Sequence, residues 1–243
     1  MTKLIDRLDA YQNKRTFGFF DDFESYVTGD RWTPLTADSS SASTLVLCKT
    51  TTGGKGGILS ITQDATDNDE IYFGTTQNLF KFVADKPAIF EIRLQYAELN
   101  TNANNVMVGF LSTKAANSII DDGAGPVASA TMAVIYKVDG GTVWRCRSQV
   151  GAAVGQTDTV SQHTAGGSAY QTLTVEYKPY SSTNAHIIYS LDGQPMLDAN
   201  GRAIVHDLVI ANAVECVAFF GCKTGSATAE VLLVDYCAAY QLR

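Results

Sequence analysis

The chain has 243 residues, 45% hydrophobic and 18% charged, with 18 Lys and Arg against 25 Asp and Glu and a formal net charge of -7. That balance works against non-specific nucleic-acid binding, which needs clustered Lys and Arg to displace counterions, and against docking on an anionic membrane. No stretch approaches the roughly 20 apolar residues of a membrane span, and the opening MTKLIDRLDAYQNKRT lacks the continuous apolar core of a secretory signal, so synthesis in a cytoplasm is expected.

Residues 1–16 differ in pattern from the rest of the chain. Leu4, Ile5, Leu8 and Tyr11 recur at helical spacing, and Lys3, Arg7, Lys14 and Arg15 make the segment basic within an acidic chain. Two readings stand for this arm. It is a short helix folded onto the domain, or it docks on a neighbouring subunit through Leu4, Arg7, Leu8, Tyr11, Lys14 and Arg15.

From residue 17 to 243 the pattern is that of a single β-sandwich domain. Short apolar runs alternate with turn residues: FGFFDDF, STLVLCK, GGILSIT, DEIYFGT, LFKFV, AIFEIRLQYAEL, NVMVGFLST, ATMAVIYKV and TVWRCRSQV, then YQTLTVEYKPY, AHIIYSL, AIVHDLVI, VECVAFFGC and AEVLLVDYCAAYQL. Within Phe90–Gln95 and Thr172–Tyr177, apolar and polar residues alternate and so face opposite sides of a strand. Asp139-Gly140-Gly141 and Asp192-Gly193 read as hairpin turns, and Gly53 to Gly57 as a loop. About fourteen strands at this spacing predict two packed antiparallel sheets. Thr113 to Ile120 has room for one helical turn. No Pro-rich linker or internal repeat marks a second domain.

The residues that carry chemistry are sparse. Cys48, Cys146, Cys216, Cys222 and Cys237 are odd in number, widely spaced and set in apolar runs, as buried free thiols are. His163, His186 and His206 are scattered and read as structural. The oxygen-rich tracts Asp64, Asp67-Asn68-Asp69-Glu70 and Asp121-Asp122-Gly123 suit solvated turns as well as a cation, and no metal ligand is assigned. Trp32 and Trp144 are the candidates for stacking on a sugar, against the alternative that both are core residues.

Two end segments resemble a known superfamily. Phe20-Asp21-Asp22-Phe23 followed by Trp32 resembles the opening of the concanavalin A-like lectin/glucanase superfamily, and Val234-Asp235-Tyr236-Cys237-Ala238-Ala239-Tyr240-Gln241 resembles its closing strand. The resemblance implies an all-β fold, a two-sheet antiparallel jelly roll, with these two ends side by side. Its glucanases carry an E-x-D-x-x-E strand, in which a nucleophile and an acid/base flank a glycosidic bond. The strand most like it here is Glu91-Ile92-Arg93-Leu94-Gln95-Tyr96, with Arg93 and Tyr96 where the second and third acids belong. No catalytic residue, enzyme activity or cofactor is therefore expected.

The chain from Phe17 onward also resembles proteins of tailed bacteriophages that carry this lectin-like fold. The tracts are Asp67-Asn68-Asp69-Glu70, Ala84 to Glu91 (ADKPAIFE), Asp121 to Pro126 (DDGAGP), Lys137 to Trp144 (KVDGGTVW) and Ala165 to Leu173 (AGGSAYQTL). This resemblance implies a virion structural protein that decorates or cements the capsid surface. Its partners would be the major capsid protein, other virion subunits or further copies of itself. The alternative is a carbohydrate-binding, lectin-like module displayed on the virion; a glycoside hydrolase is the weakest of the three.

Overall fold

The computed structural model describes residues 15–37, 44–46, 57–97, 103–151 and 154–243. Nineteen strands form among them. They are β1 (Thr16–Asp21), β2 (Trp32–Ala37), β3 (Thr44–Val46), β4 (Leu59–Thr62), β5 (Glu70–Thr75), β6 (Phe80–Lys81), β7 (Ala88–Ala97), β8 (Asn104–Leu111), β9 (Ile119–Ile120) and β10 (Gly125–Pro126). The series continues with β11 (Met132–Lys137), β12 (Val143–Val150), β13 (Val154–Thr164), β14 (Gln171–Pro179), β15 (Asn184–Leu191), β16 (Gln194–Pro195), β17 (Val205–Val209), β18 (Glu215–Thr224) and β19 (Val231–Leu242). No helix forms among the described residues. Thr113 to Ile120 runs as turns into β9, with Asn117 at a left-handed φ of 57°, which breaks the helical turn the sequence allows there.

The strands make two antiparallel sheets. Sheet I has nine strands in the order β16-β15-β14-β7-β19-β4-β3, with β1 on β19 and β17 on β15. Sheet II has eight, in the order β13-β12-β11-β8-β18-β5-β2, with β6 on β18. This is the jelly-roll sandwich that the alternation and the end motifs imply. The two ends do lie together: β1 pairs with β19 from Thr16↔Leu242 to Asp21↔Cys237. The hairpin turns also fall where Gly places them. Gly140 (φ 71°) turns β11 into β12, while Asp192 (φ 50°) and Gly193 (φ 77°) turn β15 into β16 with the paired left-handed residues of a tight hairpin.

The inner faces of the two sheets share one core. From β7 it takes Phe90, Ile92, Leu94 and Tyr96, and from β8 Val106, Val108 and Phe110, each at most 1% exposed. Phe73 stacks on Phe220 with centroids 5.1 Å apart, and Phe110 meets Phe80, Phe82 and Phe90 within 5.9 Å. Cys146, Cys216, Cys222 and Cys237 are free and buried in it; burial pushes all four thiols up from their ordinary pKa. Cys48 lies outside the described residues, as do Gly53 to Gly56.

A second, smaller core lies on the opposite face of sheet II. Tyr72, Met107, Leu111, Met132, Val134, Tyr136, Val217 and Phe219 form it together with Ile119 and Ala130. Strands β5, β8 and β11 are consequently buried along their whole length. The segment from Ser112 to Thr131, which contains the β9–β10 hairpin, crosses this face as a strap.

Candidate functional site

The strap closes the outer face of sheet II, and polar side chains of the strands hold it there. At one end Asn117 N–H donates to both carboxylate oxygens of Glu70 (2.8 and 3.1 Å), and Ile119 N–H donates to the Tyr72 hydroxyl (3.2 Å). Lys223, 1% exposed, donates to Asn117 Oδ1 (2.6 Å) and Ile119 O (3.2 Å), ion-pairs with Asp121, and lies 3.4 Å from Glu70 Oε2. At the other end Arg147 donates to Pro126 O (3.0 Å), and Gln149 Nε2 donates to Ala128 O (2.8 Å) and Ala130 O (2.7 Å). Burial, and then the charge of Glu70, push the Tyr72 phenol well up, so it stays a donor to Glu70 at 2.7 Å. Two acids from the oxygen-rich tracts, Glu70 and Asp121, thus neutralise a buried lysine. Among the described residues no group of three or more His, Cys, Asp or Glu is placed to hold a metal.

The outer face of sheet I carries a polar and aromatic cluster. Glu91 and Arg93 of β7 point outward beside β14 and β19, where Glu91 pairs in register with Thr174 and Ala238. Glu91 is only 4% exposed. It accepts from Tyr236 Oη (2.8 Å) and from Thr174 Oγ1 (3.3 Å). Burial, then the Glu91 charge, raise the Tyr236 pKa, which keeps that phenol protonated as the donor. The register of β19 slips between Val234 and Tyr236, a β-bulge that lets Asp235 reach Arg93, its ion-pair partner. The Arg93 guanidinium also lies over the Tyr170 ring, 4.5 Å from its centroid. Phe20, 47% exposed, stacks on Tyr236 at 5.4 Å. Glu176, one row along the sheet, pairs with Lys178 at 2.8 Å. Each acid in this region meets a hydroxyl or a cation.

The end motifs have a physical basis in these contacts. Asp21 Oδ1 accepts from Phe23 N–H (2.9 Å), and Asp21 Oδ2 accepts from Trp32 Nε1 (2.8 Å), tying the two halves of the opening motif together. Gln241 of the closing motif fixes the turn before β7 by accepting from Lys81 N–H (3.0 Å) and donating to Lys86 O (3.1 Å).

The sugar-stacking assignment of Trp32 and Trp144 is overturned. They are 1% and 0% exposed. Trp32 lies edge-on to Phe19 and Phe220, while Trp144 lies edge-on to Tyr96 and donates to Gln171 Oε1 (3.1 Å). Neither indole offers a face to a ligand. An exposed aromatic beside this cluster is Phe20, inside the opening motif, where it alternates with buried Phe19. His206 is buried with Ser148, Thr159 and Tyr189 hydroxyls at 3.0–3.3 Å, and burial pushes its pKa down to about 4. His186 stacks on Tyr180 and meets Asp207 at 2.8 Å, and His163 Nε2 accepts from Leu197 N–H. Of the arm residues, Arg15 is described and exposed; Leu4, Arg7, Leu8, Tyr11 and Lys14 lie outside the described residues.

No family model matches the sequence, and no curated protein matches it. Solved structures share the fold at low identity. An endo-1,3-β-glucanase from Streptomyces sioyaensis superposes with a TM-score of 0.57 at 18% identity, covering 94% of this chain and 97% of that one. Peanut lectin gives 0.56 at 12% identity, covering 93% and 97%. An endo-β-1,4-glucuronan lyase from the fungus Trichoderma reesei gives 0.55 at 10%, covering 91% and 94%. The chain therefore has the concanavalin A-like jelly-roll fold, an architecture that serves lectins and enzymes alike.

Proposed function

We propose that this chain is a structural protein of a bacteriophage virion, one that decorates or cements the head and works by contact rather than catalysis. The observation that carries the non-catalytic part is the fate of the acids on β7 and its neighbours. A retaining glycosidase sets two carboxyls about 5–5.5 Å apart across the bond to be cut. Here Glu91 is hydrogen-bonded by Tyr236 and Thr174, and Asp235 is held by Arg93. The virion assignment rests on the resemblance of its sequence tracts to tailed-phage proteins of this fold. Many weak copies on a symmetric shell bind strongly together without a reactive site. The test is to mix the purified protein with expanded phage heads and image the particles. Stoichiometric occupancy of symmetry-related positions is expected; absence of the protein from the particles refutes the reading.

A second reading, saccharide binding, is favoured by the half-open aromatic strip of Phe20, Tyr236 and Tyr170 beside Arg93. Rings with adjacent hydrogen-bonding groups suit a sugar's apolar face and hydroxyls, and lectins are among the structures that share the fold. A glycan array probed with the protein and with Phe20→Ala is expected to give hits that the substitution abolishes. An array blank for the unaltered protein ends this reading.

A further inference from the structure

One end of the core between the sheets is closed by polar side chains. On β8, Val106, Val108 and Phe110 face the core, and alternation carries Asn104 to the same face. On β11, Ala133 and Ile135 do so, which turns Lys137 inward. On β19, Leu232 and Val234 point in, and Glu230 precedes them on that face; its carbonyl extends the ladder by accepting from Gln63 N–H at 3.0 Å. Asn104 and Glu230 are 0% exposed and Lys137 is 1% exposed. The register brings the three together. Lys137 and Cys222 both pair with Val106, one on either side, and Asn104 stands two residues along the same face. Lys137 Nζ donates to Asn104 O at 2.6 Å. Burial, and then the charge of Glu230, push the Cys222 thiol up, so the Glu230 carboxylate extends from sheet I towards Cys222 on sheet II. Among the described residues the Asn104 amide makes no hydrogen bond through Oδ1 or Nδ2, a costly state for a buried amide and one that calls for a reason. The other buried amide at this end, Gln63, is tethered by donating to Asp69 O at 2.8 Å.

We propose that Lys137 and Asn104 react to form an intramolecular isopeptide bond, with Glu230 carrying the protons. Away from water, a proton shared by an ammonium and a carboxylate passes to the oxygen, because both charges are costly there. Lys137 is then a neutral nucleophile. The Nζ electron pair attacks Asn104 Cγ. The Nζ–Cγ bond forms and the Cγ–Nδ2 bond breaks. Glu230 gives its proton to Nδ2, which departs as ammonia, and takes the proton that Nζ sheds. One amide replaces another, so nothing is oxidised or reduced and no co-reactant is needed. Amides resist amines in solution; holding the two groups together in a dry pocket supplies what the reaction lacks there. The bond would join neighbouring strands of sheet II through residues 33 apart in sequence, and the strap lies within that loop. Such a staple restricts the unfolded chain as a disulfide does, with no sulfur to reduce.

This bond goes beyond the virion reading and stands or falls apart from it. The test is intact-mass spectrometry of the full chain after incubation at neutral pH and denaturation, with its tryptic peptides sequenced by tandem mass spectrometry. The expected mass is about 17 Da below that of the sequence, the loss of one ammonia, once any removal of Met1 is allowed for. A branched peptide should join Asn104 to Lys137, and trypsin should no longer cut after Lys137. Lys137→Met and Glu230→Gln should each keep the mass that its own sequence gives. A parent protein with the full sequence mass overturns the proposal, and that result needs no variant to fold. The same loss confined to one unbranched peptide also overturns it, because Asn104 has then cyclised on its own backbone. A branched peptide that persists in Glu230→Gln overturns the role given to Glu230.

Discussion

Lys223→Met is expected to destabilise the sandwich by about 3 kcal/mol. Lys223 and Glu70 are 1% and 2% exposed, and breaking a buried ion pair by removing one partner costs about 3–5 kcal/mol because the other charge is stranded. The low end applies. Glu70 keeps the hydrogen bonds from Tyr72 and Asn117, and Asp121 has a half-exposed side chain that water can solvate. With a urea m-value of about 2–3 kcal/mol/M, the unfolding midpoint should fall by roughly 1–1.5 M. Tryptophan fluorescence reads the transition, since Trp32 and Trp144 are both buried. Adding Glu70→Gln removes the stranded charge and should restore at least half of the loss, about 1.5 kcal/mol. A Lys223→Met stability within about 0.5 kcal/mol of the parent would refute the stranded-charge account, as would a double variant no more stable than the single one.

His206 sets a pH dependence. Its folded pKa of about 4 lies below the ordinary 6.5, so the unfolded chain binds the extra proton. Its contribution is complete above pH 6.5 and is lost as pH falls towards 4, at most about 3 kcal/mol in total. Unfolding free energies at pH 7.5, 5.5 and 4 should fall less steeply for His206→Asn; parallel curves would count against His206 as the source. Gly109→Ala should cost at least about 2 kcal/mol, because φ is 137° and a Cβ would stand 2.3 Å from Ala133 O. Gly140→Ala, with left-handed φ but open space around it, should cost about 1 kcal/mol; equal losses by thermal melting would overturn the steric explanation. Arg93→Ala removes a pair whose side chains are 41% and 32% exposed, so chemical denaturation should show a loss below about 1 kcal/mol, and a larger loss would mean that the pair holds the bulge in place.

Much of the fold was legible because alternation and turn residues act locally. Asp139-Gly140-Gly141 and Asp192-Gly193 mark hairpins since positive φ is inexpensive there, and β7 reads outward and inward residue by residue. The strap was not legible as a strap, although its signature was present. Val106–Leu111 and Met132–Tyr136 are continuous apolar runs, and a strand without alternation is one covered on both faces. What the sequence withholds is which segment does the covering. That depends on pairings such as Arg147 to Pro126 and Lys223 to Asn117, the second spanning more than a hundred residues. The same holds for the site. Tryptophan is a large apolar residue before it is a sugar platform, and Asp21 draws Trp32 inward through its indole N–H. The exposed ring, Phe20, is masked in the sequence by its apolar neighbours Phe17 and Phe19.

The two outer faces of the sandwich therefore differ in what their polar groups do. On sheet II, Glu70, Lys223, Arg147 and Gln149 are buried and committed to the strap, so any change there is felt first as lost stability. On sheet I, Arg93, Asp235 and Phe20 are partly exposed and make surface contacts that add little to folding. A protein that works by contact needs exposed groups that can be spared from holding the fold. For the contact role proposed above, that physical division puts the outer face of sheet I, with its aromatic cluster, first among the surfaces to substitute, because changes there leave the sandwich intact.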